Sequence, residues 1–250
     1  MPRFLRTVVP RIKRSLRERG VLTSMGRSFL LPIHLLQEYR RGRAIKPSPE
    51  CSDFDREFGV DTDGDFEDRT YLSDLDIPSS NWIRGGDYVP IYPERLLGIL
   101  SRISIRYEDF VFLDFGSGKG RALLIASHFA FRKIVGVEFS PQLHHVAEQN
   151  ITRYHPSTQK CTKIQSVCMD FAEFTLPEEP CLIYMFDPCD EVVLRRTLRN
   201  LEESLRSHPR QILVIYVAPR LQAVMDWCGF LRKIMTSDEF QFSLYGNCEA

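Results

Sequence analysis

Apolar residues recur along this chain in two rhythms. Over residues 93–105 they fall at helical spacing (Leu96, Leu97, Ile99, Leu100, Ile103), and then Val, Phe and Leu run without interruption up to Asp114. A short continuous apolar run bounded by turn residues predicts a strand covered on both faces, as in a parallel sheet. The alternation continues downstream. A glycine-rich turn (115–120) leads into a helix over 121–129 and a strand over 134–138 that ends in Glu138. Ser140-Pro141 then supplies an N-cap and a first-turn proline for a helix over 141–153. Strands over 164–169 and 181–186 stop before Asp170 and Asp187. A helix over 191–206, a strand over 211–217 and a hairpin pair near 230–236 and 240–245 complete the series. Five strands of parallel type separated by helices, closed by an antiparallel hairpin, predict a three-layer α-β-α sheet of seven strands.

The first third follows other rules. Residues 1–45 predict a helical arm in two pieces, broken near Gly20 and Pro32, with Leu5, Val8, Val9, Ile12 and Leu16 on one stripe. Residues 46–87 are rich in Asp, Gly, Ser and Pro without a sustained period and predict a long loop or lid ending at Gly85-Gly86. Within it the stretch FDREFGVDT, residues 54–62, has too many aromatic and β-branched residues for a linker and is expected to pack on the folded part. The chain therefore divides into an arm-and-lid region, 1–87, and an α/β domain, 88–250.

Composition narrows the function. Hydrophobic residues make up 43% and charged residues 26%, ordinary for a globular domain, and the formal net charge is zero, which gives no strong nucleic-acid signal. The zero conceals a polarity: residues 1–50 hold twelve Lys and Arg against three acids, and residues 51–80 hold ten acids against two Arg. The basic arm either faces the acidic loop or makes a weak contact with a membrane or an acidic partner. Seven scattered cysteines include no C-x-x-C pair and no Cys/His cluster of zinc-ligand spacing, so no metal is expected and a reducing, cytoplasmic setting is. The first twenty residues lack an uninterrupted apolar core for a secretory signal, although their Arg-rich character also suits an organelle transit peptide. His144 and His145 are neighbours on a helix and do not share a face. Nothing in the pattern sets the oligomeric state.

The chemistry concentrates between residues 110 and 138. Gly116, Gly118 and Gly120 allow backbone angles closed to other residues and let a ligand approach the main chain. The helix that follows offers unpaired N–H groups. Glu138, eighteen residues after Gly120, can accept hydrogen bonds from two ribose hydroxyls. A dinucleotide fingerprint needs a glycine where Arg121 stands, and a phosphate-binding P-loop needs one where Leu113 stands, so neither motif is present.

The stretch LDFGSGKGRALLIAS with its flanking strands and terminal acids resembles class I S-adenosylmethionine (SAM)-dependent methyltransferases. The resemblance covers residues 88–246. It implies SAM as cofactor, with Asp114, Gly116, Ser117, Gly118 and Gly120 around its amino-acid part and Glu138 on the ribose. Phe139, Asp170 and Phe171 then serve the adenine. Asp187-Pro188-Cys189-Asp190 resembles in part the D/N-P-P-Y/F motif of amino-group methyltransferases: Asp187 and Pro188 match, Cys189 and Asp190 do not. Asp187 is the catalytic candidate and Pro188 a substrate-binding one. Tyr88, in the segment YVPIYP at 88–93, resembles the strip before the glycine loop of DOT1-like lysine methyltransferases and is a second substrate-binding candidate. The leader DREFGVDT at 55–62 is similar to that of uncharacterised bacterial methyltransferases. The resemblance implies N-methylation of a protein side chain or small amine. O-methylation of a small-molecule hydroxyl or carboxyl group, a non-catalytic binding module, and a dehydrogenase opposed by Arg121 are the alternatives.

Overall fold

The computed structural model describes residues 49–63, 75, 77–79, 81, 84, 85 and 88–247. The expected arm over 1–45 and most of the lid lie outside the described residues. The chain enters at helix α1 (Pro49–Phe58), where the sequence predicts a loop. The periodic signal was a single pair, Phe54 and Phe58, too short to reveal a helix; the tertiary contact decides it. Both rings meet Tyr154, and Phe58 lies 4.9 Å from both Phe54 and Tyr154, centroid to centroid.

Helix α2 (Pro93–Ser101) begins at a first-turn proline and buries Leu96, Ile99 and Leu100 completely. Each such side chain is worth about 1.5–3 kcal/mol against exposure. It stops four residues before the apolar pattern does. The Tyr107 hydroxyl donates to the Leu100 and Ile103 carbonyls, and Ile103 continues inward from a turn.

Strands β1 (Val111–Phe115), β2 (Lys133–Glu138), β3 (Ile164–Cys168), β4 (Cys181–Phe186), β5 (Ile212–Val217), β6 (Leu231–Ser237) and β7 (Phe242–Asn247) form one sheet in the order β3-β2-β1-β4-β5-β7-β6. All pairings from β3 to β5 are parallel; β7 runs antiparallel to both β5 and β6. The hairpin strands start and end a residue or two later than their pattern suggests, because Phe240 is spent on the turn, where it packs against Gly98 and Arg102.

Helices α3 (Arg121–Ala126) and α4 (Pro141–Arg153) connect β1 to β2 and β2 to β3. Helix α5 (Glu191–Ser207) and the short α6 (Gln222–Asp226) follow β4 and β5. Phe54 and Val60 join α2, α3 and one sheet face in a single apolar cluster; α5 and α6 cover the other face. β1, β4 and β5 are buried at almost every position, as a sheet covered on both sides requires. This is the three-layer, seven-strand α/β sheet that the sequence predicts. The strand order reverses between β1 and β4, and the crevice beyond their carboxyl ends is where such a sheet binds ligands.

Candidate cofactor and acceptor site

The loop between β1 and α3 turns on three left-handed glycines, Gly116 (φ 84°), Gly118 (φ 54°) and Gly120 (φ 89°). Gly116 N–H and Ser117 N–H donate to the Val137 carbonyl at 2.9 and 3.3 Å, which ties the loop to β2. Two of the glycines are also demanded by proximity. A Cβ at Gly118 would sit 2.2 Å from the Tyr88 ring, and one at Gly116 would sit 3.1 Å from Pro188. Gly136, inside β2, belongs to the same construction although no loop pattern marks it. Its missing side chain leaves room for Ser117 Oγ and Leu123, each 2.6 Å from where a Cβ would lie.

Glu138 closes β2 and is 3% exposed. Its Oε2 accepts from Gly118 N–H at 2.8 Å and its Oε1 from Ser140 N–H at 2.9 Å. Burial pushes its pKa up to about 7, against the opposing pull of those backbone donors. Asp114, at the end of β1, is equally buried; burial and then the neighbouring Glu138 push its carboxyl well above the ordinary range. Two carboxyl groups thus share one buried corner whose electrostatics call for a positive charge.

Beyond Glu138, Phe139 packs, as Tyr88 does, against Leu75, Ile77 and Leu143. Asp170 caps the turn after β3, accepting from Ala172 N–H at 2.9 Å. Its other oxygen receives Ser79 Oγ–H at 2.6 Å and Asn81 Nδ2–H at 2.7 Å, so the lid region is fastened at that end. Phe171 stacks on Phe115 with centroids 5.4 Å apart and planes 7° from parallel. A few residues on, the same end of the lid is fastened again: Gly85 bridges Cys189, and Arg84 pairs with Asp190 at 2.8 Å.

Asp187 follows β4 with a positive φ of 42° and is 4% exposed. Its carboxylate receives Arg220 Nε–H at 3.1 Å, Arg220 Nη2–H at 3.3 Å and the Tyr216 hydroxyl at 3.3 Å. Neither Tyr216 nor Arg220 is part of any linear motif, and both reach Asp187 only because β5 lies beside β4. Pro188 and Cys189 line the same pocket. That pocket also takes in Asn81, Tyr88, Gly116, Gly118, Glu138, Phe139, Asp170, Phe171 and Asp187. A smaller cavity behind Tyr88 is lined by Asp114, Ser117, Arg121 and Tyr184. The sequence candidates therefore converge on two adjoining spaces; Gly120 stays outside their lining, against Ala147 of α4.

No protein-family model matches the sequence, and no curated protein does. Solved structures do. A predicted N6-adenine-specific DNA methylase from Listeria monocytogenes shares 14% identity over 64% of this chain and 52% of its own, with a TM-score of 0.48. The chain thus spans about half the length of that protein. An RNA methyltransferase from Salinibacter ruber, in complex with S-adenosyl-L-homocysteine, shares 17% over 63% of this chain and 92% of its own, TM-score 0.41. The glycopeptide N-methyltransferase MtfA, complexed with SAM, shares 12% over 63% and 93%, TM-score 0.45. At such identities the likeness concerns the fold alone. Among the described residues no helix is long and apolar enough to cross a membrane.

Proposed function

We propose that the protein is a SAM-dependent methyltransferase, and that its acceptor is an amine of a protein side chain or small molecule. The observation that carries the cofactor is the buried pair Asp114 and Glu138 beside the glycine loop. SAM brings a sulfonium and an ammonium group to a corner short of positive charge, together with ribose hydroxyls that donate to a carboxylate. The pyrophosphate of a dinucleotide would bring negative charge to the same place. Glu138 retains acceptor capacity beyond its two backbone donors for the ribose. The loop glycines and Ser117 border the amino-acid part, while Phe139, Phe171, Asp170 and Asn81 border the adenine.

When bound, SAM supplies a methyl group on a sulfonium. The chain's part is to align the acceptor and exclude water, which carry most of the barrier reduction in such a displacement. Tyr88, Phe186 and Pro188 offer apolar walls for that purpose. Asp187 stands at the acceptor end with both oxygens engaged by Arg220 and Tyr216, so it is poised to orient a donor rather than to remove a proton. A neutral amine, whose lone pair needs no base, suits this better than a hydroxyl group. The expectation against a nucleic-acid acceptor, drawn from net charge, gains no support from the solved structures, which include enzymes named for DNA and RNA. Calorimetry with SAM, S-adenosylhomocysteine and NAD, followed by labelled-methyl transfer onto fractionated lysate, tests the reading. Micromolar binding of the first two and none of NAD is expected; NAD binding without SAM binding overturns it.

A further inference from the structure

The leader at residues 55–63 has no part in the lining of either site space, yet it is tied to the glycine loop by a network of side-chain hydrogen bonds. Asp55 accepts from Thr62 N–H (2.6 Å) and Asp63 N–H (2.7 Å) with one oxygen. With the other it accepts from Thr62 Oγ1 and from Arg121 Nη2–H (3.0 Å). Arg121 Nε–H donates to Thr62 Oγ1 and Nη2–H to Asp63, both at 2.6 Å. Its guanidinium lies 5.4 Å from the centre of the Phe54 ring, and the residue is 1% exposed. Lys119 is turned the same way, to the Asp61 carboxylate (2.6 Å) and the Asp63 carbonyl (2.8 Å). Asn150 of α4 stitches the two strands of chain together through the Asp61 and Lys119 carbonyls. Finally the Tyr88 hydroxyl, whose ring covers Gly118, donates to the Thr62 carbonyl at 2.7 Å.

Two consequences follow from this arrangement. Lys119 and Arg121, which in a glycine loop suggest an anion site, are instead engaged by the acids Asp55, Asp61 and Asp63. And a loop with three left-handed glycines, the residue with the most backbone freedom to lose, is gripped at its exit by side chains rooted elsewhere. We propose that Asp55, Thr62 and Asp63 are positioning residues of the cofactor site: they hold Lys119, Arg121 and Tyr88 so that residues 116–120 keep the turn in which Gly118 N–H meets Glu138. The proposal rests on the SAM-binding reading above, but its physical content, a leader that orders the glycine loop, can be read without ligand.

The test uses the full chain with Thr62→Val, which keeps shape and removes the hydroxyl, and Thr62→Ser, which restores it. Amide hydrogen exchange of apo protein and SAM titration are measured together. Thr62→Val accelerates exchange at residues 116–121 while β4 and β5 keep wild-type protection, and it weakens SAM binding tenfold or more; Thr62→Ser returns both toward wild type. Wild-type loop exchange in Thr62→Val overturns the proposal, as does a uniform loss of protection across the sheet. If Thr62→Val does not fold, Asp63→Asn is measured in the same way and judged by the same outcomes. Should wild-type protein bind no SAM, the cofactor reading fails by itself, and the exchange data still decide whether the leader orders the loop.

Discussion

Glu138→Gln removes a charge and almost no volume, and it separates the carboxylate's two duties. In the native structure each oxygen already accepts one backbone N–H, from Gly118 and Ser140. A glutamine oxygen can keep one of these; its amide group presents a donor to the other. What remains for a ribose is the difference between a charged acceptor, about 1.5–3 kcal/mol per hydrogen bond, and a neutral one, about 0.5–1.5 kcal/mol, which is roughly 1–1.5 kcal/mol. That corresponds to SAM affinity weaker by about 5- to 12-fold. The pH dependence is more diagnostic. Burial holds the wild-type carboxyl at about 7, and cofactor binding selects its ionised form. Wild-type affinity therefore tightens about tenfold from roughly pH 6 to roughly pH 8. The variant, which has no carboxyl at this position, loses that dependence. Stability moves the opposite way. A carboxyl raised in the folded state contributes stability that is full below its ordinary value of 4.5 and is lost as pH climbs through about 7. The apo thermal midpoint of wild type falls across that window, and Glu138→Gln flattens the fall. Calorimetry and thermal melts between these pH values measure both. Equal affinities at every pH, or a variant melting point that falls with pH as steeply as wild type, would refute the reasoning.

Two further substitutions probe the walls of the pocket. Gly118→Ala places a methyl group 2.2 Å from the Tyr88 ring at a positive φ, so SAM binding falls below detection by calorimetry while the sheet, judged by far-ultraviolet circular dichroism, stays formed. Asp187→Ala leaves SAM affinity near wild type and lowers turnover. It also lowers the melting temperature, because Arg220 and Tyr216 lose their partner; with Arg220 partly exposed the cost lies below the roughly 3–5 kcal/mol of a fully buried pair. Parallel loss of SAM binding and turnover would move Asp187 into the cofactor site.

The amino-acid sequence alone determined the sheet and marked the acids and glycines of the corner proposed for the cofactor, because both depend on local signals. Buried parallel strands announce themselves as apolar runs, and their ends as the acids Asp114, Glu138, Asp170 and Asp187. The left-handed turn announces itself as three glycines. What the sequence left undetermined depends on contacts between residues far apart in the chain. Helix α1 has one pair of aromatic rings as its pattern and owes its packing to Tyr154, about a hundred residues on. Gly136 looks like an ordinary weak strand residue until Ser117 and Leu123 are laid across it. Arg121 was legible only as the residue that spoils a dinucleotide motif; the fold supplies its acids from a leader more than fifty residues upstream. Asp187 reads from its motif as the catalytic candidate, and its ion pair comes from β5, which delivers Tyr216 and Arg220 to its side. Periodicity and turn chemistry are written within a few residues, whereas the partner of a buried charge is chosen by topology, which brings distant segments to one place.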